Sequence, residues 1–166
     1  MPILIFLGLA IALIGCQSHC PWHLSYMPST FPENPLSRLN YPKNDTSKGI
    51  ELSLVRIQDI TYAYLNVHVF EVPPYQDNPH LAQVHIKAKD VSCSFIVDRL
   101  AGGQRLRLSA PCLSTLLSLL SRFGTVTITT GHYSQTYLSK GFEQCYQKLI
   151  HQPFNIHLNE WIEIQP

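Results

Sequence analysis

The feature that most constrains the fold of this chain is a long stretch of alternation at residues 60–72, ITYAYLNVHVFEV. Successive side chains of a β-strand point to opposite faces, so a period of two predicts a strand with two different faces. One face holds the apolar residues Ala63, Leu65, Val67 and Val69, and the other holds Tyr62, Tyr64, Asn66, His68 and Phe70.

Shorter segments with the same strand pattern follow one another from residue 50 onward. Val84, Ile86 and Ala88 alternate with polar residues, and the Gly102-Gly103 pair predicts a tight hairpin turn. Neighbouring strands joined by short turns pair in the antiparallel sense. Besides residues 60–72, strands are predicted at residues 50–58, 82–90, 91–97, 105–109, 125–130, 132–138 and 154–164.

Two helical patterns complete the predicted domain. Leucines recur at helical spacing after Ser109 and Pro111, which predicts a helix capped by Ser109 and ended by Gly124. A second stripe follows Gly141, and Pro153 is predicted to end it. The fold predicted from these elements is α+β, with two helices covering an antiparallel β-sheet, sandwich or partly closed barrel of about seven to eight strands. The stripe of the second helix consists of Phe142, Cys145, Tyr146 and Leu149.

The N-terminus has the pattern of an export signal. Residues 3–14 are apolar without interruption, which suits a secretory h-region of ~7–15 residues and is short of the ~20 residues that span a bilayer. The segment ends in Leu13-Ile14-Gly15-Cys16 and resembles the lipobox of bacterial lipoproteins. This resemblance implies cleavage before Cys16 and acylation of its thiol and its new amine. Gln17 at the next position implies the outer rather than the inner membrane. The alternative is a signal segment that is uncleaved or cleaved elsewhere.

The residues between this motif and the domain are predicted to form a tether. Residues 17–49 contain five of the chain's 12 prolines and no apolar periodicity. The alternative is that the aromatic residues of this segment (Trp22, Tyr26, Phe31 and Tyr41) pack back onto the domain. The predicted organisation is therefore a signal peptide at 1–15, the lipidated cysteine and Pro-rich tether at 16–49, and one compact domain at 50–166.

Composition and motifs narrow the classes of function. The chain has 12 Lys and Arg against 11 Asp and Glu, without the clustered basic face that nucleic acids require. It contains no nucleophile elbow, phosphate-binding glycine loop or zinc-protease motif. We therefore expect a non-enzymatic envelope lipoprotein without a cofactor or nucleic-acid partner. Its expected partners are membrane lipid, through the acyl chains, and an envelope protein.

Five cysteines offer alternatives to this expectation. If Cys16 carries lipid, Cys20, Cys93, Cys112 and Cys145 remain, and four cysteines allow three complete disulfide patterns. Cys93 and Cys145 are both predicted on inward faces, which suits a core disulfide or two buried thiols. Cys112 lies in the first turn of a predicted helix, where the helix dipole lowers a thiol pKa, so it is a weak candidate nucleophile. The alternative function is therefore a periplasmic thiol-dependent enzyme or redox protein that uses Cys112. It would need His132 or His151 as its base.

A weaker metal hypothesis rests on the stretch GCQSHCPWH. Cys16 and Cys20 are four residues apart, and so are His19 and His23. Lipidation would consume the Cys16 thiol and leave His19, Cys20 and His23, which are too few for a closed tetrahedral zinc site. We therefore expect no metal there.

The C-terminal half carries a second resemblance. Gly124-Thr-Val-Thr-Ile, followed by Leu138-Ser-Lys-Gly-Phe142 and a helix, resembles the close of the invasion-associated locus B family of exported β proteins. The resemblance implies an exported β-rich module with a terminal helix.

The amphipathic face of the 60–72 strand is the best candidate for a binding surface. Tyrosine, histidine and asparagine on a rigid strand are of the kind enriched at protein interfaces. The alternative is that both faces of the strand are buried, one by the sheet and one by a helix. The candidate residues are Tyr62, Tyr64, Asn66, His68 and Phe70.

Overall fold

A computed structural model describes residues 20–27, 36–45 and 47–151 of the chain. Nine strands form one antiparallel sheet in the order β1-β2-β3-β4-β7-β6-β5-β8-β9, and two helices accompany it. The sheet does not close into a barrel. One antiparallel sheet with two helices is an α+β fold, so the predicted class, a sheet with covering helices, is confirmed. The strands are β1 (His23–Met27), β2 (Leu36–Tyr41), β3 (Glu51–Ile57), β4 (Ile60–Asn66), β5 (Leu81–Ala88), β6 (Val91–Arg99), β7 (Arg105–Arg107), β8 (Thr125–Thr130) and β9 (Tyr133–Leu138), and the helices are α1 (Ala110–Arg122) and α2 (Phe142–His151).

The sheet has an apolar inner face and a polar outer face, as the alternation predicts. Side chains at alternate positions of β4, β5 and β8 are buried, among them Leu65, Ile86 and Ile128, whereas β3 buries the four consecutive residues 52–55. Helix α1 buries Cys112, Leu116, Leu119 and Leu120 in the same core, and α2 buries Phe142 and Leu149. The outward predictions for His85, Lys87 and Lys89 are correct, because all three side chains are exposed.

Strand β4 is shorter than its sequence pattern predicts. It ends at Asn66, which pairs with Glu51, the first residue of β3, and with Arg105, the first residue of β7. Beyond Asn66 both neighbouring strands have ended. The Val67 and Val72 amides still donate to the Gln104 and Gly103 carbonyls of the β6–β7 turn, at 2.9 and 2.8 Å, but the segment between them lies outside the sheet. Val69 was predicted inward, but it is 41% exposed, and Phe70 is 74% exposed. The alternation therefore continues in the sequence after the strand has ended.

The predicted tether is wrong for much of the segment between residues 20 and 45. Strands β1 and β2 lie within it and extend the sheet beyond β3. Pro21 precedes β1 and Pro42 follows β2, so neither of these prolines interrupts a strand. The alternative of aromatic packing is correct for Trp22 and Tyr41, which are each 3% exposed, and wrong for Tyr26, which is 52% exposed; Phe31 lies outside the described residues. The signal segment and the predicted strand at 154–164 lie outside the described residues.

An aromatic cluster brings the two edge strands of the sheet together at one end. Trp22 packs edge-on against Tyr41 and tilted against Phe142, with ring centroids 4.9 Å apart in both pairs. The Trp22 indole N–H donates a hydrogen bond of 2.8 Å to the Leu138 carbonyl at the end of β9. The Leu138 amide in turn donates to the Tyr41 hydroxyl at 3.2 Å. Side chains thus bridge the gap that backbone pairing leaves open.

The turns and helix ends agree with most local signals. Gly102 and Gly103 have φ of +82° and +64° and form the predicted hairpin between β6 and β7. Helix α1 begins after Ser109 with Pro111 in its first turn, but the Ser109 side chain makes no capping hydrogen bond. Both predicted helices are present in the structure.

Candidate functional site

The candidate site lies on the outer face of the sheet, where β2, β3, β4 and β7 run side by side. The strand register places Glu51 beside Asn66, and Asn66 beside Arg105. Ser53 lies beside Tyr64 in the next row. Paired residues of antiparallel strands point to the same face, so side chains from distant parts of the sequence meet here. We call this surface the outer polar face, and define it by Arg38, Glu51, Ser53, Tyr62, Tyr64, Asn66, His68 and Arg105.

Arg38 and Glu51 form the centre of a hydrogen-bond network on this face. The Arg38 guanidinium donates to Glu51 Oε1 at 2.6 Å and to Ser53 Oγ at 2.9 Å. Its Nε donates to Asn40 Oδ1 at 2.7 Å, and the Asn66 amide donates to Ser53 Oγ at 3.3 Å. Both charges of the ion pair keep about a quarter of their side-chain surface exposed, at 27% and 22%. The network holds these side chains together, and Arg38 neutralises the negative charge of Glu51.

His68 extends the network beyond the end of β4. Its Nε2 lies 3.7 Å from Glu51 Oε2, a contact that is an ion pair only when the imidazole is protonated. The side chain is 45% exposed, so it also faces solvent. Of the predicted binding residues, Asn66 and His68 therefore converge on the same carboxylate.

Arg105 is the cation of this face that lacks an acidic partner. Its guanidinium lies 4.0 Å above the centre of the Tyr64 ring, in a cation–π arrangement. Within the described part of the chain it forms no ion pair, whereas its neighbour Arg107 donates to Asp98. The Asp98 hydrogen bond raises the pKa of Arg107 above its ordinary value. Arg105 lines a groove of about 680 Å³ together with Arg38, Glu51, Asn66 and His68.

The five predicted binding residues do not form one surface. Tyr62, Tyr64 and Asn66 lie on the outer side of β4, and all three are half-buried by their neighbours. Phe70 lies apart, on the segment after β4, where its backbone N–H and C=O both bond to the Tyr133 hydroxyl at 2.6 and 2.7 Å. Its ring projects into solvent from a backbone that is held in place.

Sequence reasoning missed the charged residues of the site. Glu51 and Arg105 meet only through their common neighbour Asn66. Arg38 lies in the segment that was predicted to be a tether because of its prolines. Two signals were available: the alternation of residues 50–54 puts Glu51 and Ser53 on one face of a strand, and that of residues 105–109 does the same for Arg105 and Arg107.

Cys112 does not have the environment expected of a nucleophile. It is fully buried, and burial, followed by the electrostatic effect of Cys93, raises the pKa of the Cys112 thiol to about 12. The prediction of a lowered pKa is wrong, because loss of solvation outweighs the partial charge of the helix N-terminus. His132 is exposed, and His151 Nδ1 contacts the Gln147 carbonyl. In residues 20–27, 36–45 and 47–151, neither histidine is bonded to Cys112.

The other cysteines are thiols that the fold sorts into pairs. Cys145 Sγ lies 3.8 Å from Cys20 Sγ. Cys93 instead interacts with Cys112, whose thiol pKa it raises. A Cys93–Cys145 bridge is therefore not the pairing that this arrangement favours. Burial raises the pKa of the Cys145 thiol, and its contact with Cys20 raises it further.

The metal hypothesis finds no further ligands. His19 lies outside the described residues, His23 is exposed, and Cys20 faces Cys145. Where the structure describes the chain, no three His, Cys, Asp or Glu side chains are grouped to hold a metal ion. Nor is any described helix long and apolar enough to cross a bilayer.

Comparison with known proteins adds no relative to this picture. No family model, no curated protein and no solved structure matches the chain.

Proposed function

We propose that this protein is a lipid-anchored envelope protein that binds a protein partner through its outer polar face, without catalysing a reaction. The observation that carries the proposal is Arg105, an arginine stacked on Tyr64 beside an open groove and without a carboxylate partner in the described structure. The partner that fits is a protein segment bearing a carboxylate.

Stacking on an aromatic ring prepares an arginine for binding. The Arg105 guanidinium lies 4.0 Å above the centre of the Tyr64 ring, and a guanidinium held by an aromatic ring can still donate two N–H bonds to a carboxylate. Contact with the ring restricts the side chain before binding, so binding loses less conformational entropy. Tyrosine and arginine are also the residue types that dominate interface hot spots.

The surrounding charges favour an acidic ligand over a basic one. Glu51 lines the same groove, but its ion pair with Arg38 at 2.6 Å compensates its charge. Among the described residues that line the groove, Arg105 is then the charge without an acidic partner. Asn66 and His68 provide polar groups at the rim, where hydrogen bonds to the partner's backbone give orientation.

The anchor in this proposal rests on the sequence Leu13-Ile14-Gly15-Cys16. Diacylation of the thiol and acylation of the amine supply three chains. One acyl chain holds a protein on a membrane only marginally, and two signals are needed for stable attachment. A lipidated Cys16 would therefore hold the domain permanently at a membrane surface.

Site-specific photo-crosslinking tests the binding face. A photoreactive amino acid replaces His68 on the groove or, as a control, Lys87 on the opposite half of the outer face. We expect a discrete crosslinked protein from the His68 position only, and a loss of about tenfold when Arg105→Ala is added, which corresponds to about 1.4 kcal/mol. Lys89→Ala is the matched control for removal of an exposed cation. Equal crosslinking from both positions, or no effect of Arg105→Ala, would contradict the proposed face.

Intact mass spectrometry of the protein purified from membranes tests the anchor. We expect the mass of a chain that begins at Cys16 and carries acyl groups. Cys16→Ser should abolish the lipid mass and release the protein from the membrane fraction. An unmodified chain that begins at Met1 would overturn the proposed lipidation.

A further inference from the structure

Cys20 and Cys145 are far apart in sequence but adjacent in space. Their sulfur atoms lie 3.8 Å apart, and 125 positions separate the two residues. Both side chains are half-buried, so they are neither locked in the core nor freely mobile. Cys20 Sγ also lies 3.9 Å from the Lys140 carbonyl, at the turn that leads into α2.

Gly141 makes the space for the Cys20 sulfur. A Cβ at this position would lie 2.5 Å from Cys20 Sγ, closer than any real side chain tolerates. Gly141 also has φ of +78°, which only glycine adopts without strain. The start of α2 is therefore shaped around the sulfur of a residue that precedes β1.

Packing holds both backbones in place. Trp22, two residues after Cys20, is buried against Tyr41 and Phe142. Cys145 belongs to α2, where its amide donates to the Gly141 carbonyl at 3.1 Å. A disulfide needs the sulfurs at about 2.05 Å, a change that side-chain rotation supplies when the backbones are already close.

We propose that Cys20 and Cys145 form a disulfide that joins the N-terminal end of the sheet to α2. The oxidant is a disulfide, RSSR, of a small thiol or of a thiol oxidoreductase. One cysteine thiolate attacks RSSR and releases RS⁻, and the second thiolate then attacks the mixed disulfide and releases the other RS⁻. The two cysteine thiols lose two protons and two electrons, and RSSR becomes two RSH.

The other two cysteines are poorer substrates for this exchange. Cys112 is fully buried, so an exchange reagent reaches it only when the core opens. Cys93 lies near Cys112 rather than at the α2 junction. The Cys20–Cys145 pair therefore oxidises first, and the bridge constrains a long segment of the unfolded chain.

The test uses the full-length chain with Cys16→Ser, purified in detergent and equilibrated with either oxidised glutathione or a phosphine reductant. The Cys16→Ser substitution removes the lipidation site, so the result for the disulfide does not depend on whether the proposed anchor exists. Trypsin separates the four cysteines onto different peptides, at residues 1–38, 90–99, 108–122 and 141–148. We expect a loss of about 2 Da, and the 1–38 and 141–148 peptides joined under non-reducing conditions.

Thermal unfolding gives the second readout. We expect oxidation to raise Tm by roughly 5–15 °C in the Cys16→Ser protein and in the Cys93→Ser control. Cys20→Ser should abolish both the joined peptide and this increase. The proposal is overturned if the 2 Da loss persists in Cys20→Ser. It also fails if the joined peptides contain Cys93 or Cys112, or if oxidation stops at a glutathione adduct on Cys145.

Discussion

At the scale of single residues, Cys112 shows two opposing influences on one thiol. The N-terminal turn of α1 favours a thiolate, whereas the core around Cys112 excludes the water that a thiolate needs. The pKa of about 12 shows that the second influence is larger. Sequence position reveals the helix turn but not the depth of burial, so the two effects could not be weighed before the fold was known.

Alkylation rates test this environment. At pH 8 a thiol of pKa about 12 has roughly a thousandfold less thiolate than an ordinary cysteine, and only the thiolate reacts. We expect iodoacetamide to label Cys112 only after denaturation, and to label the half-buried Cys93 in the folded protein. Mass spectrometry of the tryptic peptides measures both rates. Equal labelling of the two cysteines in the folded state would show that Cys112 is accessible.

Asp45 gives a prediction about acid pH. Its Oδ1 accepts hydrogen bonds from the Ser47 amide at 2.6 Å, the Ser47 hydroxyl at 2.8 Å and the Lys48 amide at 3.1 Å. These bonds favour the carboxylate and lower the pKa of Asp45 from 3.8 to about 2, with the Ser47 amide as the largest cause. Folding is thus favoured by this group above pH 4, and its contribution disappears as the pH falls through about 2.

The Asp45 titration is measurable by NMR of its side-chain carboxyl carbon. We expect a midpoint near 2 in the native protein. Ser47→Ala removes the hydroxyl donor and should move the midpoint upward, towards the ordinary value. A native midpoint near 4, or no change in Ser47→Ala, would contradict the role of these hydrogen bonds.

At the scale of elements, local signals predicted the parts that depend on local structure. The alternation of β5, the Gly102-Gly103 turn and the leucine spacing of α1 each act within a few residues, and each prediction is correct. The end of β4 depends instead on where β3 and β7 begin. Strands β1 and β2 form because β3 offers an edge for β2 to pair with. The proline-rich sequence around them does not reveal that edge, so the tether prediction was wrong.

The same distinction explains how much of the candidate site was predictable. Tyr64, Asn66 and His68 belong to a single alternating segment, and the sequence pointed to all three. Arg38, Glu51 and Arg105 join them only through strand pairing between separate parts of the chain. The pairing register between these separate strands cannot be read from the residues of any one strand.

Trp22→Ala tests whether β1 belongs to the fold. Trp22 is buried between Tyr41 and Phe142 and bonds to the Leu138 carbonyl, so we expect a loss of about 3–5 kcal/mol in the free energy of unfolding. Tyr26→Ala on β1 is the control, because Tyr26 is 52% exposed and should change stability by less than about 0.5 kcal/mol. Urea denaturation followed by circular dichroism measures both. A Trp22→Ala protein as stable as the control would restore the tether prediction.

At the scale of the whole molecule, the aromatic cluster couples the two edges of the sheet. Tyr137 donates to the Ile50 carbonyl at 3.0 Å, and the Leu138 backbone bonds to both Trp22 and Tyr41. The first and last strands of the described sheet therefore share one set of contacts, although no ladder joins them. Opening one edge removes partners from the other.

We therefore expect one cooperative unfolding transition. The chain has two tryptophans, so Trp161→Phe leaves Trp22 as the single fluorescent reporter at the joined edges. Its fluorescence transition in urea should coincide with the loss of far-ultraviolet circular dichroism, which reports on the whole sheet and both helices. A fluorescence midpoint at clearly lower urea would show that β1 separates before the rest unfolds.

The early start of ordered structure also limits where a lipidated form can work. Cys20 already contacts α2, and only four peptide units separate it from Cys16. At ~3.3–3.6 Å per residue, those units reach at most about 14 Å, of which the lipid headgroups take about 5–7 Å. In the proposed lipidated form the domain then lies close to the bilayer surface. It meets its partner by diffusing in the plane of the membrane. Its partner is one that lies in the same membrane or comes within about a nanometre of it.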